Sequence, residues 1–445
     1  MAAAALLIAG LAPTAAHATT GSSLWTATYQ GTGGDSRGQA IAASPDGSMV
    51  YVTGISGGSG EAENYETIAY NAATGAKAWA ASYSAEVSGN DADAVAVSPD
   101  GTEVFVTGSS ANSSRGIDYA TVAYNAHTGA QLWATRSKGK HGFNTAESIA
   151  VNGSDVFVTG YSSGPGDKEA GYATVAYDDS TGAQLWTATY APAGSVSFAQ
   201  SVTATSSTVI VTGYSEPGSS LEAATVAYSA SSGAQLWVKT GKNGSVGDAA
   251  GVSPDGSTAY VFGGVTGAGN VSAFVTTAYN TATGAQRWTA RYNGPTTDGT
   301  EPLDQYLKVS PDGSQVFVTG SVPEPGPDSN DAYATVAYNA STGARQWAAV
   351  YTGGQDENFP SAIAVSRDGG TVYVTGASRL SSTFYNYGTV AYAAGTGTMA
   401  WEHDFGSPSH GSQPTGLAAT SSGVVVSGAS PYQGHAVWAT VAYAG

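Results

Sequence analysis

The sequence predicts an all-β fold: an eight-bladed β-propeller of four-stranded antiparallel blades. Eight tryptophans recur at intervals of 51 to 59 residues, and the last seven close the same short phrase. Each interval also holds four short segments rich in β-forming residues. Four antiparallel strands in a repeat of this length make one propeller blade. The tryptophans are Trp25, Trp79, Trp133, Trp186, Trp237, Trp288, Trp347 and Trp401.

The first full repeat shows how each element arises. Residues 39–44 form a short apolar strand, and Pro45-Asp46-Gly47 turns the chain because proline presets φ and glycine accepts positive φ. Residues 49–54 are the partner strand, and a longer loop leads to the third strand at 65–70. A second turn precedes the tryptophan strand at 76–83.

The two chain ends complement each other. Residues 22–29 read as a last strand without the three before it, whereas residues 414–443 supply three strands without the fourth. The N-terminal strand should therefore complete the C-terminal blade and close the ring at eight blades. Closure removes the free sheet edges that favour aggregation.

The tryptophans are expected to be structural. Eight rings at one equivalent position cannot all face one small ligand. A buried tryptophan removes about 150–250 Å² from water, so the rings should hold neighbouring blades together.

The repeated phrase, clearest as Ala69-Tyr-Asn-Ala-Ala-Thr-Gly-Ala-Lys-Ala-Trp79, resembles the tryptophan-docking motif of PQQ-like (quinoprotein-type) eight-bladed propellers. The longer repeat is also similar to secreted bacterial beta-propeller repeat proteins. The resemblance covers nearly all of residues 22–445 and implies the same fold. It further implies two kinds of activity: dehydrogenases that hold PQQ beside Ca²⁺ in the central channel, and a protein-binding scaffold of outer-membrane assembly.

The sequence departs from the dehydrogenase pattern. The methanol-dehydrogenase type stacks the quinone on a vicinal disulfide with a tryptophan on its other face, and this chain has no cysteine. The ninth tryptophan, Trp438, stands where other repeats have tyrosine or phenylalanine. None of the family's catalytic aspartates or calcium ligands matches a position here. PQQ is therefore not expected, and no cofactor is firmly predicted.

The charge balance excludes some classes of binding partner. With 15 Lys and Arg against 33 Asp and Glu, the formal net charge is −18. Nucleic acid and anionic membrane surfaces require clustered basic residues, which the chain lacks. Proteins, glycans, small ligands and cations remain compatible.

Residues 1–18 predict a signal peptide. The segment is apolar and ends in Ala16-His17-Ala18, an A-x-A cleavage pattern, although a basic start is missing. The mature chain, 19–445, should be a single secreted propeller domain. No other run is long enough for a membrane span. A closed ring needs no partner chain, so a monomer is expected.

Topology predicts where a site would lie. Turns between first and second strands and between third and fourth strands share one face and are short. The loops on the other face are long, variable and acidic, and such loops usually carry binding. Ca²⁺ prefers carboxylate and carbonyl oxygens, so the acidic loops are candidates for binding this ion. The alternative is that they form a solvated acidic surface. The candidate metal ligands are Asp91, Asp93, Asp298, Glu301, Asp304, Asp356 and Glu357.

Two histidines add a further candidate. His410 and His435 flank the same composite blade on the long-loop face, where they would suit a metal or an acid–base pair. The alternative is that both are plain surface residues in Gly/Ser-rich loops.

Three functions remain open. The first is a secreted, non-catalytic propeller that binds a protein, a glycan or a cation on its acidic long-loop face. The second is an enzyme acting at the central channel, as a divergent PQQ-like oxidoreductase or a metal-assisted hydrolase or lyase. The third is a purely structural extracellular repeat protein. No catalytic residue is identified, and fold alone does not assign an activity.

Overall fold

The computed structural model describes most of residues 20–445. The described residues are 20–31, 35–57, 63–84, 87, 89–114, 116–138, 143–163, 170–218, 220–266, 272–294, 306–323, 331–353, 357–379, 384–406, 411–432 and 435–445.

Thirty-two β-strands are found in the described part of the chain. In the first half they are β1 (Ser23–Tyr29), β2 (Ser36–Ala43), β3 (Met49–Ser56), β4 (Asn64–Asn71), β5 (Lys77–Tyr83), β6 (Asn90–Val97), β7 (Glu103–Ala111), β8 (Ile117–Asn125), β9 (Gln131–Ser137), β10 (Phe143–Val151), β11 (Asp155–Ser163), β12 (Gly171–Asp178), β13 (Gln184–Tyr190), β14 (Ser195–Ala204), β15 (Thr208–Pro217), β16 (Glu222–Ser229) and β17 (Gln235–Asn243). In the second half they are β18 (Ala249–Val252), β19 (Thr258–Thr266), β20 (Ser272–Asn280), β21 (Gln286–Tyr292), β22 (Tyr306–Val309), β23 (Gln315–Pro323), β24 (Asp331–Asn339), β25 (Arg345–Tyr351), β26 (Asn358–Val365), β27 (Thr371–Arg379), β28 (Tyr385–Ala393), β29 (Met399–Phe405), β30 (Gln413–Ala419), β31 (Gly423–Tyr432) and β32 (His435–Ala444).

The strands form eight four-stranded antiparallel blades. Blades 1 to 7 take consecutive groups of four strands from β2 to β29, and blade 8 consists of β30, β31, β32 and β1. Blades 2 and 3 are also linked by a single parallel bridge between Ile117 and Phe143. The predicted fold class is confirmed. Among the described residues there is no helix with the length and hydrophobicity needed to cross a membrane.

The short turns are fixed by side chains that cap their own backbone. In blade 1, Asp46 accepts a hydrogen bond from the Ser48 amide at 3.0 Å and another from the Ser44 hydroxyl. At the next turn, Asn71 accepts from the amide and the hydroxyl of Thr74 at 3.0 and 2.9 Å. Such local bonds favour turns over continued strand, and they recur from blade to blade.

The ring closes as the sequence predicts. The first strand of each blade contacts the first strands of both neighbouring blades, and β2 meets β30 in the same way. The N-terminal strand β1 pairs antiparallel with β32, from Ser23 opposite Tyr443 to Tyr29 opposite Trp438. Blade 8 is thus sealed by both ends of the chain.

The junction of the two ends reproduces the turn before every tryptophan. Thr20-Gly21 supplies the Thr-Gly of the motif ahead of Trp25, while β32 supplies the strand before it. The Gly21 amide donates to the Ala444 carbonyl at 2.8 Å, and the Ala444 amide donates to Ser22 at 2.9 Å. The first and last described segments of the chain therefore meet inside one repeated turn.

The periodic tryptophans lie between neighbouring blades. Seven indole N–H groups donate to a backbone carbonyl of the next blade at 2.6 to 2.9 Å. The exception is Trp401, whose buried N–H has no acceptor in the described residues. Its acceptor position corresponds to Gly445, because the Gly445 amide donates to Ser422 as the Ala72 amide donates to Ser48. The hydrophobic core is divided into separate clusters, and each cluster contains a periodic tryptophan packed between two adjacent blades.

Candidate functional site

The first strands of the blades border the central channel, and a β-bulge interrupts them at the end nearest the long loops. In blade 2, Ala92 pairs with Gly108 and Ala94 with Thr107, so Asp93 is the extra residue. Equivalent bulges occur in blades 1, 3, 4, 7 and 8. Bulges redirect a side chain and are frequent at functional sites.

Polar residues occupy every described bulge position. They include the carboxylates Asp93 and Glu147, and Asp248 stands at the same place just before β18. The other members are Gln39, Gln200, Ser361 and Thr415. We call the four carboxylates Asp91, Asp93, Glu147 and Asp248 the acidic mouth.

Asp93 has the most perturbed carboxyl group of the mouth. Burial and, to a smaller extent, the nearby charges of Asp91 and Glu147 raise its pKa to about 8, while hydrogen bonds from Ser109 act in the opposite direction. Its Oδ2 atom is buried and has no hydrogen-bond partner. Such a carboxyl group holds a proton at neutral pH, and a nearby cation would favour its ionisation.

The neighbouring carboxylates are perturbed in the same direction. Burial raises the pKa of Asp91, although Gln39 Nε2 reaches its Oδ1 at 3.4 Å and partly offsets the effect. Burial also raises the pKa of Glu147, and the charge of Asp91 adds to it. Blades 2 and 3 therefore bring together three carboxylates that repel one another.

The structure separates Glu357 from this group. Its Oε2 forms an ion pair with Arg379 Nη1 at 2.9 Å and accepts a hydrogen bond from the Tyr385 hydroxyl. The backbone of Glu357 also forms an isolated parallel β-bridge with the backbone of Asp331 in the preceding blade. It serves as a link between blades 6 and 7.

The other sequence candidates lie outside the described part of the molecule. These are Asp298, Glu301, Asp304, Asp356 and His410, and the side chain of His435 is likewise not described although its backbone ends β32 at the loop side. In the described residues no three or more His, Asp or Glu side chains are arranged to hold a metal ion.

Sequence reasoning missed Glu147 and Asp248. The signal was present, because Gln39, Asp93, Glu147 and Gln200 recur at 53 or 54 residues, the period of the tryptophans. It went unused because the acidic residues were sorted by local density along the chain. A bulge position is defined only by the strand opposite it.

One basic residue lies deeper in the channel. Lys308 of β22 occupies a position where the other first strands carry alanine, glycine or threonine. Its side chain is accessible to solvent. It nevertheless lies deep within the protein, whose surrounding atoms reduce the solvation of the amino group and so lower its pKa. Among the described residues, a lysine therefore stands further along the first strands than the carboxylates of the loop end.

Comparison with known proteins agrees with this architecture. The family described as outer membrane protein assembly factor BamB matches residues 11–216 and 222–440. No protein of curated function matches the sequence.

Three solved structures show the same fold at low identity. The C-terminal WD40 domain of Sif2 has a TM-score of 0.58 at 12% identity, covering 94% of this chain and 99% of that one. A quinohemoprotein alcohol dehydrogenase from Comamonas testosteroni has a TM-score of 0.55 at 14%, covering 94% and 76%. BamB from Moraxella catarrhalis has a TM-score of 0.50 at 12%, covering 95% and 99%. Because the family match spans most of the sequence, and the fold agrees with it, the chain belongs to the PQQ-like propeller family of outer membrane protein assembly factor BamB.

Proposed function

We propose that the protein is a non-catalytic binding scaffold that takes a lysine- or arginine-rich protein segment at the acidic mouth. The observation that carries the proposal is the mutual repulsion of Asp91, Asp93 and Glu147, whose pKa values are all raised. A bound cationic side chain would relieve that repulsion and replace the lost solvation.

The surroundings support a protein partner. The mouth draws its carboxylates from blades 2, 3 and 5, so the ligand must reach across part of the ring. An extended basic segment can do this, and the net charge of −18 would steer it toward the surface. Membership of a family described as an assembly factor adds support for a scaffold role.

Export belongs to the same proposal. The apolar segment 1–18 and its A-x-A ending support secretion, which would present the mouth to extracellular partners. The mass of the exported protein should correspond to a chain that begins near Thr19.

A lysine-rich peptide titrated against the full chain tests the proposal. We expect saturable binding that weakens with salt and strengthens as pH rises toward 8, because the Asp93 carboxyl, with a pKa of about 8, ionises there. The triple variant Asp91→Asn, Asp93→Asn, Glu147→Gln should lose at least about tenfold in affinity, equivalent to ~1.4 kcal/mol.

A matched variant separates this site from general charge. Glu103→Gln, Asp155→Asn, Asp179→Asn removes the same number of carboxyl groups from blades 2 and 3, but at the short-turn face. It should bind the peptide as the unmodified chain does. Equal weakening by both triple variants would reject the mouth as the site. Calcium replacing the peptide, with a raised melting midpoint, would assign the mouth to a metal ion instead.

A second candidate is catalysis in the channel. It is favoured by Asp93, with a pKa of about 8, and by Lys308, with a lowered pKa, since groups shifted toward neutrality are typical of active sites. Adding PQQ and Ca²⁺ and recording the absorbance spectrum tests the oxidoreductase form. A bound chromophore with dye-linked alcohol or sugar oxidation would place this candidate first.

A further inference from the structure

An aromatic pair lies between third and fourth strands in most blades. Four residues after the tryptophan, the fourth strand carries a ring that faces a ring of the third strand, with centroids 5.2 to 5.9 Å apart. The fourth-strand members are Tyr29, Tyr83, Tyr190, Tyr292, Tyr351 and Phe405.

Blade 2 lacks the second ring. Its third-strand tyrosine, Tyr119, faces Ser137. A cleft of about 390 Å³ opens there between blades 2 and 3, lined by Tyr119, Ser137, Asn144, Ser162, Val175 and other residues. No side chain of the described residues fills the place of the missing ring.

Blade 4 also lacks the ring, but there the described residues fill the space. Gly241 takes the position, and a Cβ added there would lie 2.2 Å from Ser245 Oγ. The buried Ser245, which forms a β-bridge with Val265 of blade 5, occupies the space. The opening between blades 2 and 3 is therefore not a necessary result of losing the ring.

The missing tyrosine also leaves a polar atom without its partner. At two other blade junctions the tyrosine hydroxyl reaches the next blade and hydrogen-bonds to a serine of its second strand: Tyr29 with Ser56 and Tyr351 with Ser378. The corresponding serine beside the cleft is Ser162. It is only 6% exposed, lines the cleft, and its Oγ has no hydrogen-bond partner.

A second comparison shows that this hydroxyl is unusual. In blade 2, Ser110 donates to Asn90 at 2.6 Å, and in blade 7 Ser378 donates to Asn358 at 2.8 Å. Ser162 stands opposite the equivalent Asn144 but forms no such bond. A buried hydroxyl without a partner is costly, so a ligand that supplies one would gain affinity.

We propose that the cleft between blades 2 and 3 is a binding site for a small phenol. The ring would take the place of the absent tyrosine, beside Tyr119 and Val175, and its hydroxyl would pair with Ser162. A cavity of about 150 Å³ is enough for benzene, so the cleft has room for a substituted ring. This site is separate from the acidic mouth and does not depend on the scaffold proposal.

Binding of p-cresol, measured by calorimetry or saturation-transfer NMR on the full chain, tests the proposal, with toluene as the match that lacks the hydroxyl. We expect saturable binding of p-cresol and about fivefold weaker binding of toluene, the value of one hydrogen bond of ~1 kcal/mol. Absence of saturable p-cresol binding would reject the site.

Two variants locate the ligand. Ser137→Tyr restores the ring found in six blades and should abolish p-cresol binding while the melting midpoint stays equal or rises. Ser162→Ala, which removes a single atom, should make p-cresol and toluene bind equally. Ser110→Ala is the control at the equivalent position of the junction between blades 1 and 2, where the ring of Tyr83 is present, and it should keep the preference. Unchanged p-cresol affinity in a folded Ser137→Tyr protein, or a preference retained by Ser162→Ala, would overturn the proposal.

Discussion

At the scale of residues, one indole N–H distinguishes the eight tryptophans. Trp186 donates to the Ala230 carbonyl at 2.7 Å, whereas the Trp401 N–H is buried without an acceptor. Both rings are more than nine-tenths buried and pack against aromatic residues of their own and the following blade. The packing is shared, so the hydrogen bond is the difference.

Trp186→Phe and Trp401→Phe should therefore differ in stability. Both lose ring area, but only the first leaves a buried carbonyl unpaired, so it should cost about 1 kcal/mol more in the free energy of unfolding. Chemical denaturation of the two variants gives the comparison. Equal losses would show that the indole N–H contributes nothing between blades.

The acidic mouth should make stability depend on pH through Asp93. Its pKa rises from 3.8 to about 8 on folding, so the folded chain keeps the proton that the unfolded chain loses. Stability from this group is complete below about pH 4 and is lost as pH rises toward 8. Asp93→Asn should thus be more stable than the unmodified chain at pH 8, on the order of a few kcal/mol, and equal to it near pH 4.

The turn residue Asp46 provides the control of opposite sign. Hydrogen bonds from Ser44 and Ser48 lower its pKa to about 2. Its stabilising effect is present above pH 4 and is lost as pH falls toward 2. Asp46→Asn should therefore narrow its difference from the unmodified chain in acid. Thermal melts from pH 3 to 9 record both trends, and a Asp93→Asn advantage that shrank with rising pH would contradict the assignment.

At the scale of elements, the turn before each tryptophan strand is shaped to the preceding blade. Gly182 has φ of +68° and lies against the ring of Trp133, where an added Cβ would come within 2.5 Å. Gly194, in a loop, has φ of +75° with no atom within 4 Å of an added Cβ. Both glycines have a left-handed backbone conformation that would strain a residue with a Cβ. They differ in the space available for that Cβ.

Gly182→Ala should accordingly destabilise the protein more than Gly194→Ala. Positive φ costs each alanine about 1 kcal/mol or more, and only the first must also displace the Trp133 ring. We expect an added loss of roughly 1–3 kcal/mol, measured by denaturant unfolding. Similar losses would mean that the turn moves away from the ring at little cost.

The elements also show what sequence patterns can resolve. Strand number, turn positions and the closing role of β1 followed from hydrophobic spacing and turn chemistry, because each is encoded within one repeat. The cleft at Ser137 did not, since it arises from one absent side chain between two blades. The signal existed in the tyrosines four residues after other tryptophans, but their partners become visible only across the sheet. Of the acidic mouth, Asp91 and Asp93 were among the sequence candidates for a metal site, whereas Glu147 and Asp248 needed the bulge register.

At the scale of the whole molecule, the ring depends on β1. Its pairing with β32 completes blade 8, and Trp25 reaches blade 1 through the Ala72 carbonyl at 2.8 Å. Removing this strand would expose the edge of β32. It would also remove the Trp25 contact between blades 8 and 1.

Deletion of residues 20–29 should therefore do more than any single substitution. We expect a broad, poorly cooperative unfolding transition and concentration-dependent association, because the exposed edge can pair with another chain. Calorimetry and light scattering measure the two effects. Supplying residues 20–29 as a separate peptide should restore a sharp transition, and a truncated chain that melted as sharply as the full one would disprove the closure role.

The meeting of Gly21 and Ala444 in one repeated turn has a practical consequence. Residues 20 and 445 both lie on the side opposite the carboxylate-lined opening, so a fusion protein or surface tether joined at either residue would leave that opening free. Seven further turns share the same geometry, which makes each of them a natural place to cut and rejoin the polypeptide in a rearranged order.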